Sequence, residues 1–311
     1  MTLEIKEIKS IDGIECKFVD YLEFKRGIKD PEIVKTIVAK FKELLKKNER
    51  ILFYAFDDEI PIGFIAGKPE GEVLESTTFY IDPDCNSDDC GSQLVKALTS
   101  KVFESGFKHY RQTEILPFNK EPTFEEQLTK DGFSFFSRVA MLLEIDEVEP
   151  NDPDLKEGYT FEPFSIEKVD ELFAVMRDTN PPEHADSSIY PEMGNPEISK
   201  KMFAKFTNNF TGLNVKINPQ ILFDENVVGI SFVFTNSPEV AFVGEVCIHP
   251  NHQRKGLGKA LMNQIIKSCS EEGMKKIGLA VTTSNVVAYK LYEKLGFKVT
   301  KNYLAITKHK Q

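Results

Sequence analysis

Ten contiguous residues have the types and spacing to do chemistry. Pro250-Asn251-His252-Gln253-Arg254-Lys255-Gly256-Leu257-Gly258-Lys259 follows a β-rich run, Val240–Ile248, and opens an apolar helical pattern that continues to about Glu271. A strand, a glycine-bearing turn and a helix start together make an anion cradle. The first N–H groups of a helix lack partners inside it, and the helix dipole is positive there. Gly256 and Gly258 let the backbone come close to an anion, and Arg254, Lys255 and Lys259 add positive charge. A plain surface helix explains the pattern badly, because basic residues in its first turn oppose the dipole. The expected guest is a pyrophosphate. The spacing lacks the Gly-Lys-Ser/Thr ending of a P-loop, and the glycines are too few for a dinucleotide fingerprint.

The elements that must position this turn can be read outward from it. Tyr159–Pro163 reads as a strand and Ser165 as the cap of a helix to about Arg177; Thr179–Asn195 reads as a loop, and a second helix is expected from about Pro196 to Phe206. Gln220–Asp224, Val227–Thr235 and Val240–Ile248 suit an antiparallel meander, followed by the helix after Gly256, a buried strand Ile277–Val281, a helix Val286–Lys294 and a final strand after Gly296-Phe297. The N-terminal half repeats the order: a meander (Ile51–Phe56, Ile60–Gly67, Ser76–Ile81), a helix Gly91–Glu104, then Gly132-Phe133 and a strand Ser137–Ile145. Gly63 and Gly229 are 166 residues apart, Pro83 and Pro250 are 167 apart, and Phe133 and Phe297 are 164 apart. Near-constant offsets at three separated points argue for a duplicated domain. The acidic, proline-bearing stretch from Asp146 to Gly158 reads as the linker. The expected domains are therefore 1–148 and 158–311, joined by 149–157.

Ile248-x-Pro250-x-x-Gln253-Arg254-x-Gly256-x-Gly258 resembles the coenzyme A pyrophosphate motif of the GNAT superfamily of N-acyltransferases. Asn285-x-x-Ala288-x-x-x-Tyr292-x-x-x-Gly296-Phe297 resembles that family's second motif. The likeness covers 158–311 well and 1–148 only as a degenerate echo; the two-domain arrangement is similar to that of the mycothiol synthases. The resemblance implies a mixed α/β fold (α+β-like) of two tandem GNAT-type domains, each a mostly antiparallel mixed sheet flanked by helices. It implies acetyl-coenzyme A as cosubstrate, with acetyl passed directly to a primary amine, on a small molecule or a peptide N-terminus, in a ternary complex. Val246, Cys247 and Ile248 would then face the pantetheine arm, Gln253, Arg254, Lys255, Gly256, Leu257, Gly258 and Lys259 would hold the pyrophosphate, and Asn285 would meet the cofactor arm. Tyr292 falls on the position that protonates the departing thiolate, with Tyr289 its nearest competitor. Glu245 stands where relatives place a carboxylate base. His249 and His252 lie at the phosphate turn, where surface or phosphate-side roles suit them better. The Thr179–Asn195 loop, with Glu183, His184, Asp186, Tyr190 and Glu192, lies where the family builds its acceptor pocket. A coenzyme A-responsive binding or regulatory protein without transferase activity is the other class this pattern allows.

In the first copy the turn reads Asp84-Cys85-Asn86-Ser87-Asp88-Asp89-Cys90-Gly91, so Ser87, Asp88 and Asp89 stand for Arg254, Lys255 and Gly256. Two carboxylates there repel a pyrophosphate, and this half is expected to keep the fold without binding coenzyme A. Phe124 and Leu128 stand near where Ala288 and Tyr292 stand. The chain of 311 residues carries a net charge of −10, all of it in residues 1–150, which hold 30 acidic and 20 basic side chains. An acidic chain without a basic stripe is a poor nucleic-acid binder. No apolar run reaches the roughly 18 residues of a membrane helix, and the N-terminus has no secretion pattern. Five scattered cysteines fit reduced thiols in a cytoplasmic protein, and the close pair Cys85 and Cys90 has no neighbours to complete a zinc set, so no metal is expected. A monomer or homodimer is expected.

Overall fold

The computed structural model describes residues 3–85, 89–115, 123–148, 152–181, 184–194 and 214–310. The helix expected at 196–206 lies outside them, as do Glu183 and residues 86–88 of the first copy's turn. The chain forms two compact units, residues 1–136 with 303–311, and residues 137–302.

The first unit contains β1 (Leu3–Glu7), β2 (Ile51–Asp57), β3 (Ile60–Glu70), β4 (Val73–Ile81), β5 (His109–Ile115) and most of β12 (Lys298–His309). Its strands lie in that order, with β4 and β5 parallel and the remaining described pairs antiparallel. Period-two alternation in β2 divides its side chains between two cores. Leu52, Tyr54 and Phe56 pack with α1 (Cys16–Arg26) and α2 (Pro31–Lys46), whereas Phe53 and Ala55 pack with α3 (Cys90–Glu104) and α4 (Phe124–Lys130). The start of α2 is set by Asp30, whose carboxylate accepts from the N–H groups of Glu32 and Ile33, with Pro31 in the first helical turn.

The second unit contains most of β6 (Ser134–Glu144), then β7 (Tyr159–Pro163), β8 (Pro219–Phe223), β9 (Asn226–Ser237), β10 (Val240–Ile248) and β11 (Lys276–Thr282). Their order is β6-β11-β10-β9-β8-β7, with only β10 and β11 parallel. Its helices are α5 (Val169–Thr179), α6 (Ala185–Ile189), α7 (Leu257–Glu271) and α8 (Val286–Lys294). Leu257, Leu261, Ile265 and Cys269 of α7 recur at four-residue spacing and bury one stripe against Val243, Ile277 and Leu279 of the sheet. Both units are mixed α/β, mostly antiparallel sheets flanked by helices, as the resemblance implies.

The duplication is visible in the pairing itself. Gly63 faces Ile81 and Gly229 faces Ile248. The parallel pair runs from Val73↔His109 to Ser76↔Gln112 in one unit and from Val240↔Lys276 to Val243↔Leu279 in the other, each residue displaced by 167 positions. The division between units differs from the expected boundaries of 148 and 158. β6, expected to close the first domain, pairs with β11 from Arg138↔Thr282 to Glu144↔Lys276. β12, expected to close the second, pairs with β5 from Ile306↔Gln112 to His309↔His109. Apolar alternation says that a strand has a buried face; it does not say which strand lies beside it.

Candidate active site

Strands β10 and β11 run in register only as far as Val243↔Leu279. Beyond that point β11 continues alongside β6, with Ala280, Val281 and Thr282 facing Ala140, Val139 and Arg138. Gly244 marks the parting: Val243 faces Val233 and Glu245 faces Phe232, so Gly244 is the extra residue of a β-bulge. A side chain at Gly244 would collide with the Phe234 ring, which explains why glycine stands there. Val246, Cys247 and Ile248 therefore lie on a strand edge with no β11 residue opposite them. Such an edge can pair with the amides of an extended ligand.

Glu245 and Cys247 share one face of β10, and the Cys247 thiol donates to Glu245 Oε1 at 3.2 Å. Glu245 is half-buried but crowded by protein, and burial pushes its carboxyl up to about 7, opposed by the thiol hydrogen bond. Burial first and the Glu245 charge second hold the Cys247 thiol well above its usual range. On α8, Tyr292 is half-buried against Phe297, and burial, then Glu245, Cys247 and Asp186, push its phenol upward. Asn285 caps α8, its Oδ1 accepting from the Ala288 N–H at 3.3 Å, which leaves its amide donors for a ligand.

Arg254 and Gly256 both take left-handed backbone angles (φ 63° and 86°), which turns successive N–H groups toward one side. Gly256 caps α7 without any side-chain hydrogen bond, so the first N–H groups of a 15-residue helix are left for an anion. Gln253 Nε2 donates to the Ile248 carbonyl at 2.9 Å and fixes the turn on the end of β10. Arg254, Lys255 and Lys259 are exposed, and Leu257 is buried, so Leu257 can serve a ligand only through its backbone. Lys255 leans on Tyr159, donating to its hydroxyl at 3.0 Å, and the same hydroxyl lies 3.0 Å from His252 Nδ1. His249 accepts from the Asn251 N–H and lies beside Asp178. Both histidines are thus held by contacts at the turn. An added Cβ at Gly258 would lie 3.7 Å from Leu291 of α8 and 4.0 Å from Ile248, so cradle, open strand edge and α8 converge. These features fit a pyrophosphate joined to an extended amide chain.

On the acceptor side, the 179–195 segment contains α6. Asp186 does not stand in solvent: its Oδ1 accepts from Arg138 Nη1 at 3.0 Å and from Thr282 Oγ1 at 2.6 Å, and Arg138 also reaches Thr282 Oγ1 at 2.9 Å. Arg138 lies over the Tyr190 ring, and His184 caps α6 by accepting from the Asp186 N–H. Arg138 and Thr282 were not among the expected site residues. An arginine at the head of the apolar run Val139–Leu143 was the available signal. Among the described residues no group of three or more His, Cys, Asp or Glu gathers as a metal site, and no helix is long and apolar enough to cross a membrane.

The sequence model of the acetyltransferase (GNAT) family matches residues 18–121 and 183–297. The ribosomal protein bS18-alanine N-acetyltransferase of Escherichia coli is 37% identical over 65 residues, which are 20% of this chain and 44% of that relative. The chain thus spans less than half the length of that relative. Mycothiol acetyltransferase of Corynebacterium glutamicum is 22% identical over 314 residues, covering 98% of this chain and 92% of that protein. The crystal structure of a GCN5-related N-acetyltransferase from Sphaerobacter thermophilus shares the fold with a TM-score of 0.66 at 14% identity, covering 99% of this chain and 95% of that one. Two matched regions, each with the same strand register, make this chain a tandem member of the acetyltransferase (GNAT) family.

Proposed function

We propose that the second unit is an N-acetyltransferase that moves acetyl from acetyl-coenzyme A directly to a primary amine. The observation that carries this reading is Glu245: it follows the bulge onto the open edge of β10, titrates near 7, and acts electrostatically on Tyr292. The cosubstrate would supply an activated acetyl thioester. Backbone N–H groups of residues 254–259, with Arg254, Lys255 and Lys259, would hold its pyrophosphate; the edge Val246–Ile248 and Asn285 would hold the arm.

Glu245 suits the part of general base, because a carboxyl near 7 is about half ionised at neutral pH and can take the amine's proton. Tyr292, raised by burial, stays protonated through the working range and suits the part of acid toward the leaving thiolate. The two are coupled. When Glu245 takes a proton it loses one of the charges that raise Tyr292, so the acid strengthens as the base fills. Cys247 lies beside them as a thiol held far from ionisation, which makes it a poor nucleophile and favours direct attack over an acyl-enzyme.

A panel of small amines, polyamines, amino acids and peptide N-termini, read by release of free thiol from acetyl-coenzyme A, tests the reading. Transfer to at least one amine that disappears in Glu245→Gln supports it. Coenzyme A binding by calorimetry with no transfer across the panel would instead favour a binding or regulatory protein.

A further inference from the structure

α6 lies across the mouth where β10 and β11 part, tied to both sides. Toward β10, Ser187 Oγ donates to the Asn180 carbonyl at 3.0 Å, Asn180 Nδ2 reaches Cys247 Sγ at 3.8 Å, and Cys247 reaches Glu245. Toward β11 and β6, Asp186 meets Thr282 and Arg138, which face each other across the strand pair. Arg138 and Thr282 are 6% and 1% exposed, so this is a buried clamp. Both clamp contacts use Asp186 Oδ1. Among the described residues Oδ2 has no hydrogen-bond partner; its nearest ionic neighbour is His184 Nδ1 at 3.7 Å. The second oxygen of such a carboxylate can still accept a charge-assisted hydrogen bond from an ammonium N–H.

We propose that Asp186, held by Arg138 and Thr282, seats the ammonium group of the acceptor through Oδ2, next to the base Glu245. The inference rests on the acetyltransferase reading and narrows the acceptor to amines that arrive protonated. The amine then loses one proton to Glu245 before its nitrogen attacks. Asp186 is the binding group; Arg138 is a positioning residue. The groups facing Glu245 are Cys247 on its own strand, Asp186 on α6, Arg138 on β6 and Tyr292 on α8. Asp186 favours the protonated form of Glu245 and Arg138 favours the ionised form, so the two clamp partners act on the base with opposite sign.

That opposition provides the test. The pH dependence of kcat/KM is measured for wild type, Asp186→Asn, Arg138→Gln and the double variant, with acceptor KM and coenzyme A affinity alongside. Asp186→Asn is expected to raise acceptor KM about tenfold or more, as for a lost hydrogen bond to a charged group, with coenzyme A affinity unchanged. It moves the acid limb of the profile to lower pH. Arg138→Gln moves the limb to higher pH, the double variant returns it toward wild type, and Arg138→Lys, which keeps the charge, leaves the direction unchanged. A role confined to holding α6 predicts shifts of one sign or none, and that result overturns the inference, as does an unchanged acceptor KM in Asp186→Asn. If wild type transfers acetyl to no amine, the enzymatic reading fails by itself. Infrared titration of the Glu245 carboxyl, identified by subtraction of Glu245→Gln, still reads the opposed shifts, and their absence overturns the clamp.

Discussion

Strands β4 and β10 hold equivalent places in the two units and carry the same irregularity. In β10 the extra residue is Gly244; in β4, where Ala66 faces Thr78 and Gly67 faces Ser76, it is Thr77, 167 positions earlier. In both units the parallel partner leaves at the next step. The contrast that bears on chemistry comes after the bulge. Thr78 stands for Glu245, Tyr80 for Cys247, and the buried Leu128 for Tyr292. At the helix start the contrast is electrostatic. α7 begins on an uncapped glycine among cations, whereas α3 begins on Asp89, whose carboxylate accepts from Gln93 and supplies the negative charge that the helix dipole attracts. Both copies keep the bulge and the parting strands; the positive charge at the helix start, Glu245 and Tyr292 are what the second has and the first lacks.

Substitutions that make the second unit resemble the first sharpen or break this contrast. The largest effect is expected from Glu245→Gln, a fall in kcat/KM of about a thousandfold with loss of the acid limb near pH 7. The same variant carries a stability signature. Because the carboxyl is raised in the folded protein, its contribution is fully present below about pH 4.5 and lost as pH rises through about 7. Denaturant unfolding at pH 8 is therefore expected to find Glu245→Gln more stable than wild type, on the order of 2 kcal/mol. Next comes the graft of the first copy's turn, Arg254→Ser/Lys255→Asp/Gly256→Asp, which is expected to weaken coenzyme A binding about a hundredfold by calorimetry. Undiminished affinity in that triple variant removes the cradle from the account. Tyr292→Phe is expected to lower kcat about tenfold at unchanged coenzyme A affinity; unchanged turnover points to another acid.

The smallest effect concerns an outlying strand pair. Lys276 and Glu144 form an ion pair at 2.8 Å in the second unit, and the equivalent place in the first holds His109 against His309. Burial first and His309 second lower His109, so its contribution to stability is present above about 6.5 and lost as pH falls through its depressed value. Thermal melting is expected to fall less on acidification to pH 5 in His109→Gln than in wild type.

How much of this was legible in the sequence depended on contiguity. The cradle is one turn of chain, and β10 and α8 have the bounds their apolar patterns give, Val240–Ile248 and Val286–Lys294. Glu245 and Tyr292 could be named because the resemblance to the GNAT motifs puts a carboxylate and a tyrosine at those positions. The Arg138–Asp186–Thr282 clamp was not legible, since its members come from β6, α6 and β11 and meet only through strand pairing. Asp186 was expected only as one of five residues of the acceptor-side loop; its Oδ1 is committed to Arg138 and Thr282. The paired helices α1 and α2, the short α4, the edge strand β1 and the interior strand β5 went unread; in α4 and β1 charged residues outnumber apolar ones, so the local pattern is weak.

The exchanged places of β6 and β12 bear on how the chain is made. During synthesis β5 emerges long before residues 303–311, so the first unit waits, with one strand flank bare, until the whole of the second has been translated. A bare flank of that kind invites pairing with another chain. Slow or interrupted translation late in the message is therefore the condition under which this protein is most exposed to aggregation, and a ribosome stalled just before residue 303 would hold a first unit that cannot finish folding.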